Sequence, residues 1–161
     1  MKNFFYIISI LLFSTYVFAA GSDSSSDSSI SDPYKDAKNL VKRAGKLEKK
    51  DKIDKAKKLY AQAFKKLEKA YSSDKNNPDI LNYMGYTSRK IGNFDQAEKF
   101  YLSGLNIKPD HNGINEYLGE LYVQTNRIDK AKERLEVLRG CNCEEFKELE
   151  LIIKTRGTKI Y

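Results

Sequence analysis

Cys141 and Cys143, separated by Asn142, are the most reactive side chains that this 161-residue chain brings together. A spacing this short makes an intramolecular disulfide strained, and two thiolates are too few for a structural zinc site. Three readings stay open: packing or a structural role, redox chemistry or intermolecular pairing, and binding of a soft metal such as Cu(I). If Asn142 caps a helix, Cys143 stands in its first turn, where the dipole favours thiolate, while Glu144 and Glu145 oppose it. His111 is the single histidine. It follows Pro109 and reads as a solvated loop residue with no acid–base partner near it in sequence. Phosphate-loop, dinucleotide, zinc-protease and serine-nucleophile signatures do not occur. The chain therefore reads as a non-enzyme with no cofactor and no metal.

The elements that must position these residues are helices. Lys, Glu, Leu and Ala dominate and lose little entropy in a helix, and proline occurs only at 33, 78 and 109. Two segments stand apart at the start. Residues 1–19 carry one lysine and a nearly unbroken apolar run from Phe4 to Phe18, which predicts a signal peptide cleaved after Ala19 and a periplasmic or secreted protein; a retained signal anchor is the alternative. Residues 20–33, rich in Ser and Asp, have almost nothing to bury and read as a flexible leader. The remaining chain suffices for one small domain.

Charge is uneven along that domain. Tyr34 to Lys69 holds 14 Lys and Arg against 5 Asp and Glu, a net of +9, whereas Ala70 to Tyr161 holds 14 of each. The plain reading is a solvated helix face. The sharper one is contact with an anionic membrane or an acidic partner. Export argues against nucleic acid.

The chain also repeats itself. An offset of 34 residues pairs Tyr83 with Tyr117, Met84 with Leu118, Gly85 with Gly119, Phe94 with Ile128, Asp95 with Asp129, Ala97 with Ala131 and Tyr101 with Leu135. Gly and Ala at matched positions let a neighbouring helix come close, and Phe94, Ala97 and Tyr101 are expected on one inward face. The period is one helix hairpin.

These residues resemble the tetratricopeptide repeat (TPR) family. Leu81, Met84, Gly85, Gly92, Phe94, Ala97, Tyr101 and Pro109 stand in its register, as do Leu118, Gly119, Tyr122, Ile128, Ala131 and Leu135, although the second set lacks a closing proline. The expected fold is all-α, a TPR helix-turn-helix solenoid of about three repeats plus a C-terminal capping helix. Residues 34–77 form a divergent, elongated first repeat, with a turn at Lys50-Asp51-Lys52 and a second helix over 53–72. Residues 78–111 and 112–140 form the second and third repeats. Residues 141–161 hold the Cys-x-Cys turn and a final helix from about 143 to 155. Gly140 suits a left-handed position before that helix, and Asn142 with Glu145 makes a capping-box pattern. Phe146, Leu149, Ile152 and Ile153 recur at helical spacing and should cover the apolar edge of the last repeat. A Cys-Glu-Glu-aromatic opening of such a helix is similar to that of exported bacterial TPR proteins.

The resemblance implies a concave groove lined by the first helix of each hairpin. By register its non-core positions are Asn82, Tyr86, Arg89 and Lys90 in the second repeat, and Glu116, Glu120, Val123 and Gln124 in the third. The Lys and Asn clamp with which family co-chaperones hold a C-terminal carboxylate is absent, because Asn82 and Tyr86 occupy its positions. The implied function is a non-catalytic adaptor holding a peptide or partner protein. The alternative is a thiol-redox or copper-handling accessory protein using Cys141 and Cys143.

Overall fold

A computed structural model describes residues 32–156, so the expected signal peptide and most of the leader lie outside the described residues. Seven helices and no strand occur among the described residues: α1 (Pro33–Glu48), α2 (Ile53–Ser73), α3 (Pro78–Ile91), α4 (Phe94–Ile107), α5 (Asn112–Gln124), α6 (Ile128–Leu138) and α7 (Glu144–Lys154). They pack as three successive hairpins, α1 on α2, α3 on α4 and α5 on α6, with α7 laid over α5 and α6.

Local chemistry sets the helix starts. Asp32 caps α1 by accepting from the Tyr34 and Lys35 amides at 2.9 and 3.3 Å, and Asn77 caps α3 by accepting from Asp79 and Ile80 at 3.0 and 3.3 Å. In both cases proline follows the cap, where its missing N–H is no loss. Each hairpin turn has the same construction, with one left-handed residue: Asp51 (φ 53°), Gly92 (φ 95°) and Asn126 (φ 58°). The following amide reaches back five residues, Lys52 to Leu47, Asn93 to Ser88 and Arg127 to Tyr122, and satisfies a carbonyl that the helix end leaves free. Asp and Asn tolerate this region better than other side chains. The third turn thus needs no glycine.

The matched small residues sit where helices meet. Ala97 and Ala131 are fully buried, with Leu81, Met84, Tyr101, Leu118 and Tyr122 beside them in the core. A Cβ on Gly85 would strike the Tyr101 ring from α4, its Cζ lying 2.8 Å away. A Cβ on Gly119 would strike Leu149 from α7, at 2.5 and 2.7 Å from the two methyls. The notch that the second repeat fills from its own α4 is filled in the third repeat by the C-terminal helix. Leu135, the counterpart of Tyr101, is only half-buried.

Several expectations are corrected. Phe94 is 39% exposed at the start of α4, because the inward face begins one turn later at Ala97. The left-handed residue before α7 is Asn142 (φ 48°), not Gly140. That conformation keeps Asn142 from capping, since a cap needs extended backbone. Cys143 (φ −113°, ψ 168°) takes the position with no side-chain cap bond, and the Asn142–Glu145 box does not form.

Replacing Gly85 or Gly119 by alanine is expected to lower unfolding free energy by roughly 1 to 3 kcal/mol in urea titrations, as overpacking does. Gly140→Ala, where nothing lies within 4 Å of the added carbon, should change it by less than about 0.5 kcal/mol.

Candidate functional site

The C-terminal half of α3, the middle of α5 and the inner face of α7 enclose a half-open chamber of about 130 Å³. Its walls are Tyr86, Arg89 and Lys90 from α3, Glu116, Tyr117 and Glu120 from α5, and Glu148 and Ile152 from α7. Ten titratable or aromatic groups connect here in one network.

Arg89 is its centre. The side chain is 2% exposed, and Nη1 lies 2.6 Å from Oε2 of Glu120. This approach is electrostatic more than directional, since neither Nη1 nor Nε has an aligned acceptor. Burial alone would lower the guanidinium pKa, but Glu120, Tyr101 and Tyr86 outweigh it and hold the group charged. The Arg89 carbon also stands over the Tyr86 and Tyr117 rings at 5.5 and 5.7 Å, and those rings are 4.9 Å apart. Lys90 points the other way, to Glu48 on α1, at 2.8 Å. Tyr60 on α2 donates to that same Glu48 oxygen at 2.9 Å, and its ring meets Tyr86 edge-on. Burial raises the pKa of Tyr60 and of Tyr117, so both hydroxyls remain donors across the physiological range.

Glu116 is the outlier. It is 3% exposed, and its pKa is pushed up to about 10, first by burial, then by a hydrogen bond with Glu148 and by the charges of Glu120, Glu148 and Glu145. At neutral pH it is a carboxylic acid, donating its proton to Glu148 across the α5–α7 contact. Neither Glu116 nor Glu148 forms an ion pair with a cation among the described residues.

The groove positions expected from sequence fall into three groups. Tyr86, Arg89, Lys90, Glu116 and Glu120 do converge on the chamber. Asn82 and Val123 are buried at 7% exposure each, so neither offers a free surface, and Gln124 is exposed without lining the chamber. Although expected at non-core positions, Arg89, Glu116 and Glu120 are buried, and Arg89 and Glu120 pair across helices. Tyr117, Glu148 and Ile152 were not expected in the site. Glu148 and Ile152 share a face of α7 at a spacing of four, and that was the available signal.

His111 is not a solvated residue. Its Nδ1 accepts from the Ile114 amide at 3.2 Å and caps α5, so Nε2 carries the proton and donates to Asp79 at 3.0 Å. Cys141 and Cys143 form a disulfide with each other. The expected strain does not prevent it, because left-handed Asn142 folds the loop back until the two Cα atoms are 5.2 Å apart, within the ordinary range. With both sulfurs in that bond, neither is a free thiol in this state.

The tetratricopeptide repeat family model matches residues 55–115, which run from α2 through α4 into α5. Residues 55–115 are built of tetratricopeptide repeats. Protein O-mannosyl-transferase TMTC3 of Homo sapiens is 31% identical to this TPR chain over 64 residues, 40% of the chain and 7% of that protein. The chain therefore spans less than a tenth of the curated relative it matches. Among solved structures, the Sgt2 TPR domain from Aspergillus fumigatus has a TM-score of 0.49 at 18% identity, covering 74% of this chain and 78% of that one. The type III secretion chaperone SycD of Yersinia enterocolitica, in complex with a peptide of the translocator YopD, has a TM-score of 0.46 at 18% identity, covering 74% and 88%.

Two measurements follow from the repeat's chemistry. Folded TPR chain holds the Glu116 proton that unfolded chain, with an ordinary value near 4.5, releases. Stability should therefore be full below about pH 4.5 on this account and fall as pH rises toward 10, by up to about 1.4 kcal/mol per pH unit. Glu116→Gln should flatten that decline in urea titrations between pH 6 and 9. Reduction of the disulfide should lower stability by no more than roughly 2 kcal/mol, because it closes a loop of only three residues.

Proposed function

We propose that the chain is an exported, non-catalytic TPR adaptor that seats an extended segment of a partner protein across α3 and α5, with the chamber as its anchoring point. The observation that carries this reading is the chamber wall itself. Tyr86 and Tyr117 present aromatic faces beside a buried guanidinium whose Nε has no acceptor, and aromatic and arginine side chains are the residue types most often found as binding hot spots. The groups there can donate, accept and stack. They are not arranged as a nucleophile with a base. Export is supported by the apolar run of residues 4–18 and by the Cys141–Cys143 disulfide, a bond that persists in oxidising compartments.

A second reading is favoured by the first hairpin. Thirteen of its fourteen Lys and Arg between Tyr34 and Lys69 are exposed, and Ile53 stands 44% exposed at the tip among Lys50, Lys52 and Lys55. This basic tip suits an anionic lipid surface alongside a partner in the groove.

A peptide selected from a random display library on the folded chain should lose about 2 kcal/mol of affinity, near thirtyfold in Kd, when Tyr86 becomes alanine. A control pair on the outer face of α4, Gln96→Ala with Lys99→Ala, should leave it unchanged. Loss from the control pair and not from Tyr86→Ala would place the binding surface elsewhere. For the basic tip, sedimentation with vesicles containing phosphatidylserine should fall steeply between 50 and 300 mM salt, a range that brackets strong screening, and retention at high salt would reject that contact.

A further inference from the structure

We infer that the chamber is a socket for one basic side chain, lysine before arginine, of the segment lying in the groove. This deepens the adaptor reading and rests on it.

Size comes first. A cavity of about 150 Å³ holds a benzene molecule, so one of about 130 Å³ holds the four heavy atoms at the end of a lysine with little to spare. Charge decides the sign of the occupant. Three carboxyls reach the chamber, and both of its cations are already taken, Arg89 by Glu120 at 2.6 Å and Lys90 by Glu48 at 2.8 Å. Glu116 and Glu148 form no ion pair among the described residues, and an ammonium group would supply one. Ile152 suits the methylenes leading to the ammonium group. A second observation points to a bound peptide. Arg89 Nε is fully buried with no aligned acceptor, although the Tyr101 hydroxyl lies near the guanidinium, and a backbone carbonyl of the same segment would satisfy it.

The proton count is fixed by this arrangement. A protonated amine enters, Glu116 ionises, and one proton passes to the buffer. The other titratable groups around Glu116 are Arg89, Lys90 and Tyr86 from α3, Tyr117 and Glu120 from α5, and Glu145 and Glu148 from α7. Burial raises the pKa of Tyr117 and Tyr101, and neighbouring groups hold Arg89 charged, so Glu116 is the group that releases the proton.

The test is an amide NMR titration of the full chain at pH 7 with n-butylamine, 1-butanol and butyrate. Butylamine should give saturable shifts at Tyr86, Glu116 and Glu148 with at least tenfold tighter binding than either control. Glu148→Gln should weaken it at least tenfold with the helical signal unchanged. Calorimetry in two buffers of different ionisation enthalpy should show close to one proton released per amine bound, a readout on unaltered protein that does not depend on any variant folding. Butyrate binding as tightly as the amine, no saturable shift, or no proton release would overturn the socket. If the selected peptide still depends on Tyr86 while butylamine fails, the groove reading stands and the socket falls. If butylamine binds while no peptide does, the adaptor reading fails instead.

Discussion

Helices can approach closely only where side chains are small, and that constraint organises this protein. Gly85 lets the Tyr101 ring lie against α3, and Gly119 lets Leu149 lie against α5. The first contact closes a hairpin on itself. The second ties the last hairpin to α7, and so decides where the chain's final helix rests. Ile152 follows one turn later into the core beside Leu118, Leu121 and Tyr122. Because α7 is held at that depth, Glu148 reaches Glu116 and the chamber acquires its third wall.

What the chamber contains is expensive to bury. A guanidinium at 2% exposure and a carboxyl group at 3% both lose hydration that a surface pair would keep. The protein answers differently in the two cases. Arg89 keeps its charge beside Glu120, whereas Glu116 gives up its charge and shares a proton with Glu148. Hydrophobic residues of similar volume would stabilise these positions more simply. The polar groups are thus concentrated in a concavity between repeats at a cost to the fold.

The repeat was legible because its determinants are local. Small residues at fixed offsets, Pro33 and Pro78 after their caps, and apolar residues at helical spacing all report on one helix at a time. The long α2 was legible too, since its 21 residues exceed the 14 of α4 by two turns and keep one face inward. What escaped depends on pairs across helices. Arg89 and Glu120 read as surface residues because nothing in either segment reveals the other. The apolar face of α7 announced a cover but not its depth, which Gly119 and Leu149 set together. His111 looked like a loop residue because its contact with Asp79 joins parts of the chain 32 residues apart. The left-handed residue Asn142 was missed for a simpler reason: Gly140 was the expected occupant of that conformation, and asparagine serves as well.

The central claim is that α7 is seated over the third repeat through Leu149 in the notch at Gly119, closing the chamber. Nuclear Overhauser spectroscopy of methyl-labelled protein measures this contact directly. With a Cβ position 2.5 Å from one Leu149 methyl carbon, the account predicts a strong cross-peak between the Leu149 methyls and the Gly119 α-protons, accompanied by one between Ile152 and Tyr122. Leu149 methyls that show cross-peaks only to α6, or only to solvent, would place α7 elsewhere and leave the chamber without its third wall.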